Sequence, residues 1–301
     1  MSRIPAAHGP TRSVVPLMLG SLVLLLAGCA GGQEADDPAA AFDPGMGHVH
    51  GLGVDPASGD VLAATHTGLF RLGDGDPVRV ADRWQDTMGF TVDGDRLLGS
   101  GHPDLREDLP VHLGLIESTD TGRTWTALSL EGEADLHALT VDSGSSDVFA
   151  WDSVSGAVLA SADGGRTWQE GQTFEAVADL VVDPDGTSLL ATTAEGLLAS
   201  TDRGTTFAAS VPQPPVLLSQ VEPLSTAGSS GGLAGVAVDG SVWHLTAGDW
   251  TQVGALPGAP AAFTVTPDGN QLAATEDEIL RSGDDGRTWE QLTPLGAGDR
   301  S

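Results

Sequence analysis

From residue 48 onward, short apolar runs alternate with tight turns, and the runs have the length and alternation of β-strands. The first, His48-Val-His-Gly-Leu-Gly-Val-Asp55, is followed by a turn at 56–60 and by further runs at 61–66 and 68–72. Equivalent openings recur at Asp86-Thr-Met-Gly-Phe-Thr-Val-Asp93 and Asp135-Leu-His-Ala-Leu-Thr-Val-Asp142, and less distinctly near Ala176, Gly232 and Ala259. Asp183-Pro-Asp-Gly186 and Pro267-Asp-Gly269 are tight-turn sequences. Val236-Ala-Val238 has the character of a strand buried between neighbouring sheets, and the Gly/Ser-rich stretch 226–232 that of a surface loop.

One turn repeats in sequence as well as in position. STDTGRTW at 118–125 returns as SADGGRTW at 161–168 and SGDDGRTW at 282–289, with a weaker copy, STDRGTTF, at 200–207. In the pattern S-x-D-x-G-x-T-[WF] the Asp accepts backbone N–H groups across a tight turn, and Gly supplies a positive φ two residues later. These residues are Asp120 and Gly122, Asp163 and Gly165, Asp202 and Gly204, and Asp284 and Gly286. The aromatic residue (Trp125, Trp168, Phe207 or Trp289) opens the next strand and is expected to pack beneath the turn. Successive copies are 43, 39 and 82 residues apart, the last interval being two steps of 41. A period of this size with strand-like units is that of propeller blades. Worn copies are expected at 241–250 and 68–75. The chain is therefore expected to be all-β, a six-bladed β-propeller over 48–294 with a tail at 295–301 and no strand shared between first and last blades. The repeated turn resembles the Asp-box, or BNR repeat, of sialidase-like and sortilin-like β-propellers.

The N-terminus has a different pattern. Arg3 and Arg12 precede an apolar run at 14–26, too short to span a bilayer but of signal-peptide length. It ends in Leu26-Ala27-Gly28-Cys29, which resembles the lipobox of bacterial lipoproteins. Residues 1–28 are expected to be removed and Cys29, the only cysteine, to carry the lipid. Residues 29–47, rich in Gly, Ala, Asp and Pro, read as a flexible tether. The expected location is extracytoplasmic, anchored to the cell membrane through that lipid. A net charge of −29 argues against nucleic acid as a partner and against adsorption to an anionic membrane surface.

Aligning the six repeats on one another singles out a polar cluster. At one position of the first strand the blades carry His50, Met88, His137, Ala178, Ala234 and Ala261. Two residues earlier, on the same side of the strand, stand His48, Asp86, Asp135, Ala176, Gly232 and Ala259. At the end of the second strand stand His66, His102, Ser153, Ala194 and Glu276. Antiparallel pairing brings the start of the first strand beside the end of the second, so His48, His50, His66, Met88, His102 and His137 are expected at one mouth. The repeated turns fall at the other mouth. Imidazoles suit zinc, copper or nickel and a thioether favours copper, so a transition metal, copper or zinc, is the expected cofactor. Asp86 and Asp135 are further ligands or acceptors that orient the histidines. His112 and His244 fall outside the alignment. The insertion 103–110 is placed to form a lid on the same side, with Trp84 nearby.

Together the repeated turns and the HVHGL, THTGL, MGFTV and SGHP segments resemble a family of bacterial lipoproteins usually labelled glycosyl hydrolases or exo-sialidases, over roughly 48–294. That resemblance implies a propeller and raises the alternative of glycoside hydrolysis. A sialidase is excluded: the chain has no Tyr for the nucleophile, and Arg123, Arg166, Arg203 and Arg287 belong to the repeated turns. Another glycosidase needs two carboxylates flanking a cleft, for which Asp86, Asp135 and Glu276 are the candidates. A third reading is a non-catalytic module presenting one face to a protein or glycan ligand, as comparable repeats do in sortilin receptors and photosystem II assembly factors.

Overall fold

The computed structural model describes residues 43, 45–73, 75–142, 144–224 and 231–295. The expected signal sequence, Cys29 and most of the tether lie outside the described residues. Twenty-four strands form six four-stranded antiparallel sheets, each a meander of consecutive strands, and there is no helix among the described residues. The chain is a six-bladed β-propeller. Blades one to six occupy 49–79, 86–129, 136–173, 179–209, 218–255 and 260–294.

The core is divided among the blade interfaces. Buried apolar side chains fall into six clusters, and each joins two neighbouring blades. Leu98 and Leu115 of blade two meet Leu136 and Val148 of blade three, for example, and all four are fully buried. Each such leucine contributes roughly 1.5–3 kcal/mol of burial energy. Blade six meets blade one through Ala262, Leu272, Ala274 and Ile279 against Val49, Leu52, Val61, Ala63 and Phe70. Met46 and Leu295 pack into this same cluster.

The repeated turns are built alike. In the first copy, Ser118 Oγ accepts the Gly122 N–H at 2.8 Å and donates to Asp120 Oδ1 at 2.9 Å. Asp120 in turn accepts the Thr124 N–H at 2.8 Å and the Thr124 hydroxyl at 2.7 Å. The same network holds the copies at 161–167, 200–206 and 282–288.

The turn also seals each blade to the one before it. A Cβ on Gly122 would stand 2.3 Å from Leu69 of blade one, and one on Gly165 2.3 Å from Leu115 of blade two, so only glycine admits that approach. The aromatic residues follow suit. Trp125, Trp168, Phe207 and Trp289 pack into the interfaces with the preceding blade. The Trp168 indole N–H donates to Ser129 Oγ of blade two at 2.9 Å. Replacing Ser118, 2 % exposed, by Ala leaves the buried Gly122 N–H without its acceptor. We expect a loss of about 1–3 kcal/mol, read as a lower urea midpoint at unchanged slope.

Blade five departs from the expected register. Its first strand is Leu218–Leu224, and Gly232–Ala237 is its second, not its first. Ser241 starts its third strand, Ser241–Thr246, at the opposite edge from the Asp-containing turns. The turn equivalent to those is Ala247-Gly248, which has neither the Ser nor the Asp, so the worn copy expected at 241–250 is absent. Leu218–Leu224 carries Ser, Gln, Glu and Pro, and this polar sequence hid it as a strand.

Candidate functional site

The histidine positions coincide with a backbone irregularity. In blade one the pairing of first and second strands shifts between Val49 and Gly51, leaving His50 unpaired in a bulge. The same shift occurs at Met88 in blade two, His137 in blade three, Ser219 in blade five and Ala261 in blade six. Bulges re-aim one side chain out of the pleat. His50, Met88 and His137 line the central channel, a cavity of about 390 Å³ enclosed by the first strands of the blades. Ser219, not Ala234, is thus the blade-five equivalent of His50.

Around this mouth the structure brings the expected residues into two connected groups. In the first, His50 Nε2 lies 3.2 Å from His66 Nδ1, and His66 Nδ1 lies 2.9 Å from Asp86 Oδ1. The third side, His50 Nε2 to Asp86 Oδ1, is 3.6 Å. The His48 ring stands 4.9 Å from that of His50 and 5.7 Å from that of His66, centroid to centroid. Donor atoms around a tetrahedral ion with bonds of 2.0–2.1 Å stand about 3.3 Å apart, so this triangle has the dimensions of one face of such a site. Burial, reinforced by His66, His48 and His137, pushes the His50 imidazole down to about 3. Burial and His66 also lower His48, against the opposing pull of Glu276 and Asp86. Glu276 is exposed and lies near enough to His48 for its charge to act on that ring.

The second group centres on Asp135, which is 5 % exposed. Its Oδ2 lies 2.9 Å from His137 Nε2, 3.6 Å from His102 Nε2 and 4.0 Å from His112 Nδ1, and accepts the Ser153 hydroxyl at 3.1 Å. Burial alone would raise the Asp135 carboxyl; the hydrogen bond and charge of His137, with His102 and Ser153, bring it below its ordinary value. His102 links the groups, its Nδ1 standing 3.6 Å from Asp86 Oδ2. His112 therefore belongs to the site, contrary to its place outside the repeat alignment. It follows the insertion in blade two, which has no counterpart in other blades, so no alignment of repeats reveals it. The signal available was its nearness in sequence to His102. His244 does lie elsewhere, buried in blade five with its Nε2 2.9 Å from Gln271 Nε2.

The insertion at 103–110 is strapped down beside the site. Asp104 accepts the Trp84 N–H at 3.0 Å, and Arg106 binds both Asp104 and Asp82. Arg79 stacks on Trp84 at 3.7 Å, and Arg83 pairs with Glu107 at 3.1 Å. Leu105 on this segment is fully exposed.

Deeper in the channel stands a carboxyl pair that the sequence did not single out, Asp179 of blade four and Glu222 of blade five. Asp179 accepts the Val221 N–H at 2.9 Å. Both line the channel and are half-buried. Burial pushes Asp179 up to about 7. Burial and the neighbouring Asp179 raise Glu222 as well. Placing blade five one strand too late had left Glu222 unread.

No protein-family model and no curated protein sequence matches the chain. Solved structures do. The GH74 enzyme of Niastella koreensis superposes with a TM-score of 0.59 at 22 % identity, over 82 % of this chain and 45 % of that one. The GH74 xyloglucanase of Xanthomonas campestris gives 0.55 at 21 %, with the same coverage. An auxiliary nutrient-binding protein of Bacteroides thetaiotaomicron gives 0.58 at 12 %, over 76 % of this chain and 67 % of that one. The chain spans less than half the length of the two GH74 enzymes. At these identities the likeness is one of fold, shared by enzymes and by a binding protein.

Proposed function

We propose that this chain is an extracytoplasmic, lipid-anchored β-propeller that binds a divalent transition metal, zinc or copper, at one mouth of its channel. The observation that carries the reading is the triangle of His50 Nε2, His66 Nδ1 and Asp86 Oδ1, with sides of 2.9–3.6 Å built from two blades. Three donors that converge from separate strands match the ligand set of a metal site with positions left open. His48 and Met88 stand at the same mouth, the thioether being the group that would favour copper. On this reading the repeated turns are Asp-boxes with a purely structural role, and Cys29 carries the lipid.

The test is zinc and copper binding to the untagged protein, measured by competition with a chromophoric chelator. Metal should bind stoichiometrically, and His50→Ala and His66→Ala should each weaken it by at least about 100-fold, since loss of even an outer partner costs 10–100-fold. Binding unchanged in both variants would refute the site.

Glycoside hydrolysis is the second reading, and one observation favours it. A glycosidase needs a carboxylic acid held protonated near neutral pH, and burial raises both Asp179 and Glu222 in the channel in that direction. Hydrolysis of a chromogenic glycoside that is lost in Glu222→Gln and kept in His50→Ala would establish it over the metal reading.

A further inference from the structure

We propose that the mouth is a two-ion centre, with a second ion held by His102, His112 and Asp135 beside the one at His50, His66 and Asp86. This rests on the reading of the mouth as a metal site and extends it. Each group offers three ligand atoms that lie within 4.8 Å of one another.

Three observations carry the second ion. The first is the polar atoms left over. Asp135 is 5 % exposed, yet its buried Oδ1 has no hydrogen-bond partner, and neither has the buried Nδ1 of His112. An unpaired buried carboxylate oxygen is costly, and the same carboxylate, through Oδ2, stands 4.0 Å from the unpaired imidazole nitrogen. A cation held by this carboxylate and His112 Nδ1 gives that nitrogen a partner.

The second is the situation of His102. Its two ring nitrogens each face a carboxylate at 3.6 Å, Nδ1 toward Asp86 Oδ2 and Nε2 toward Asp135 Oδ2. At 3.6 Å neither nitrogen is in hydrogen-bond contact with its carboxylate, so each has room for another partner. A metal ion on Nε2 would use one of them and leave Nδ1 directed toward Asp86. Asp86 then binds the first ion through Oδ1 and orients His102 through Oδ2, the carboxylate–histidine–metal arrangement.

The third is charge. Asp86 and Asp135, half-buried and buried, both stand at the mouth in a protein of net charge −29, and an ion at the first group touches only Asp86. The ligands are also independently anchored. Asp135 is fixed by Ser153, and by Asp152 Oδ1, which accepts the Asp135 N–H at 2.9 Å. His112 is held through its carbonyl, which accepts the Gly132 N–H at 2.8 Å, and by the Leu113 N–H donating to Gly101 O at 2.9 Å. His50 and His137, one beside each group, both line the channel.

The experiment is zinc stoichiometry on the purified, untagged full chain by equilibrium dialysis and elemental analysis. Cobalt(II) absorption provides a second count, and circular dichroism confirms folding. Two equivalents are expected for the unaltered protein. His112→Ala and the milder His112→Gln should each retain one, and the His50→Ala/His66→Ala double variant should also retain one. A single equivalent in the unaltered protein, or two in both folded His112 variants, overturns the two-ion centre and leaves the first site standing. No bound metal at all overturns both.

Discussion

Replacing Gly101 by Ala is expected to destabilise the propeller by about 3–5 kcal/mol and to abolish metal binding at the mouth. Gly101 stands at φ +137°, a conformation L-residues rarely adopt, directly before His102 and opposite Thr87. A Cβ there would lie 2.1 Å from Asp86 O and 2.9 Å from Met88 N. Both neighbours are backbone, so relief requires opening the strand pair at the Met88 bulge, and that displaces Asp86 and His102 together. The comparison is Gly94→Ala. Gly94 also has positive φ, +57°, but a Cβ there meets nothing within 4 Å. That change should cost only about 1–2 kcal/mol, the left-handed strain alone, and leave metal binding intact. Equal urea midpoints for the two variants would show that the close approach is not as described.

Asp179→Asn and Glu222→Gln are expected to stabilise the protein at pH 8 by on the order of 1–4 kcal/mol and to change little at pH 4. The folded pKa of Asp179, about 7, lies above its unfolded value near 3.8, so the folded state holds the proton more tightly. The stability this supplies is present below pH 4 and is lost as pH rises toward 7. Glu222 acts with the same sign. The carboxylates of the repeated turns act oppositely. Thr206 hydroxyl and backbone donors hold Asp202 at about 2, and the Thr288 backbone and hydroxyl hold Asp284 there. Their contribution is present above pH 4 and fades as pH falls toward 2. Unfolding free energies measured from pH 3 to 9 should therefore pass through a maximum on the acid side of neutrality. In the Asp179→Asn/Glu222→Gln double variant the alkaline decline should be much shallower; an unaltered decline would mean that neither group titrates in this range.

The architecture was legible because its determinants are local and repeated. The Ser, Asp, Gly and Thr of each turn bond within seven residues of one another, so the pattern that builds the turn is visible in the string, and its spacing counts the blades. Blade five escaped because its turn at Ala247-Gly248 lacks that chemistry and its inner strand is polar. The histidines at 50 and 137 were legible for a different reason: the bulge recurs at one place in five of the six repeats, so residues standing there align. His112 sits in an insertion and aligns with nothing. Glu222 was hidden because its strand was not expected, and what raises both Asp179 and Glu222 is enclosure by other blades, a property of neither residue's own neighbourhood in the chain.

The meeting of blade six with blade one has a consequence in time. Among the described residues every sheet consists of consecutive strands, so no strand there hydrogen-bonds the last blade to the first, and an apolar cluster joins the two. As the chain emerges N-terminus first, from a ribosome or a translocon, Val49, Leu52, Val61 and Phe70 have no partner until residues 262–295 arrive. At 5–20 residues per second that wait is roughly 10–50 s. Throughout it the blade that contributes His50 and His66 keeps an apolar flank open to water, and is the part of the nascent protein that most needs shelter.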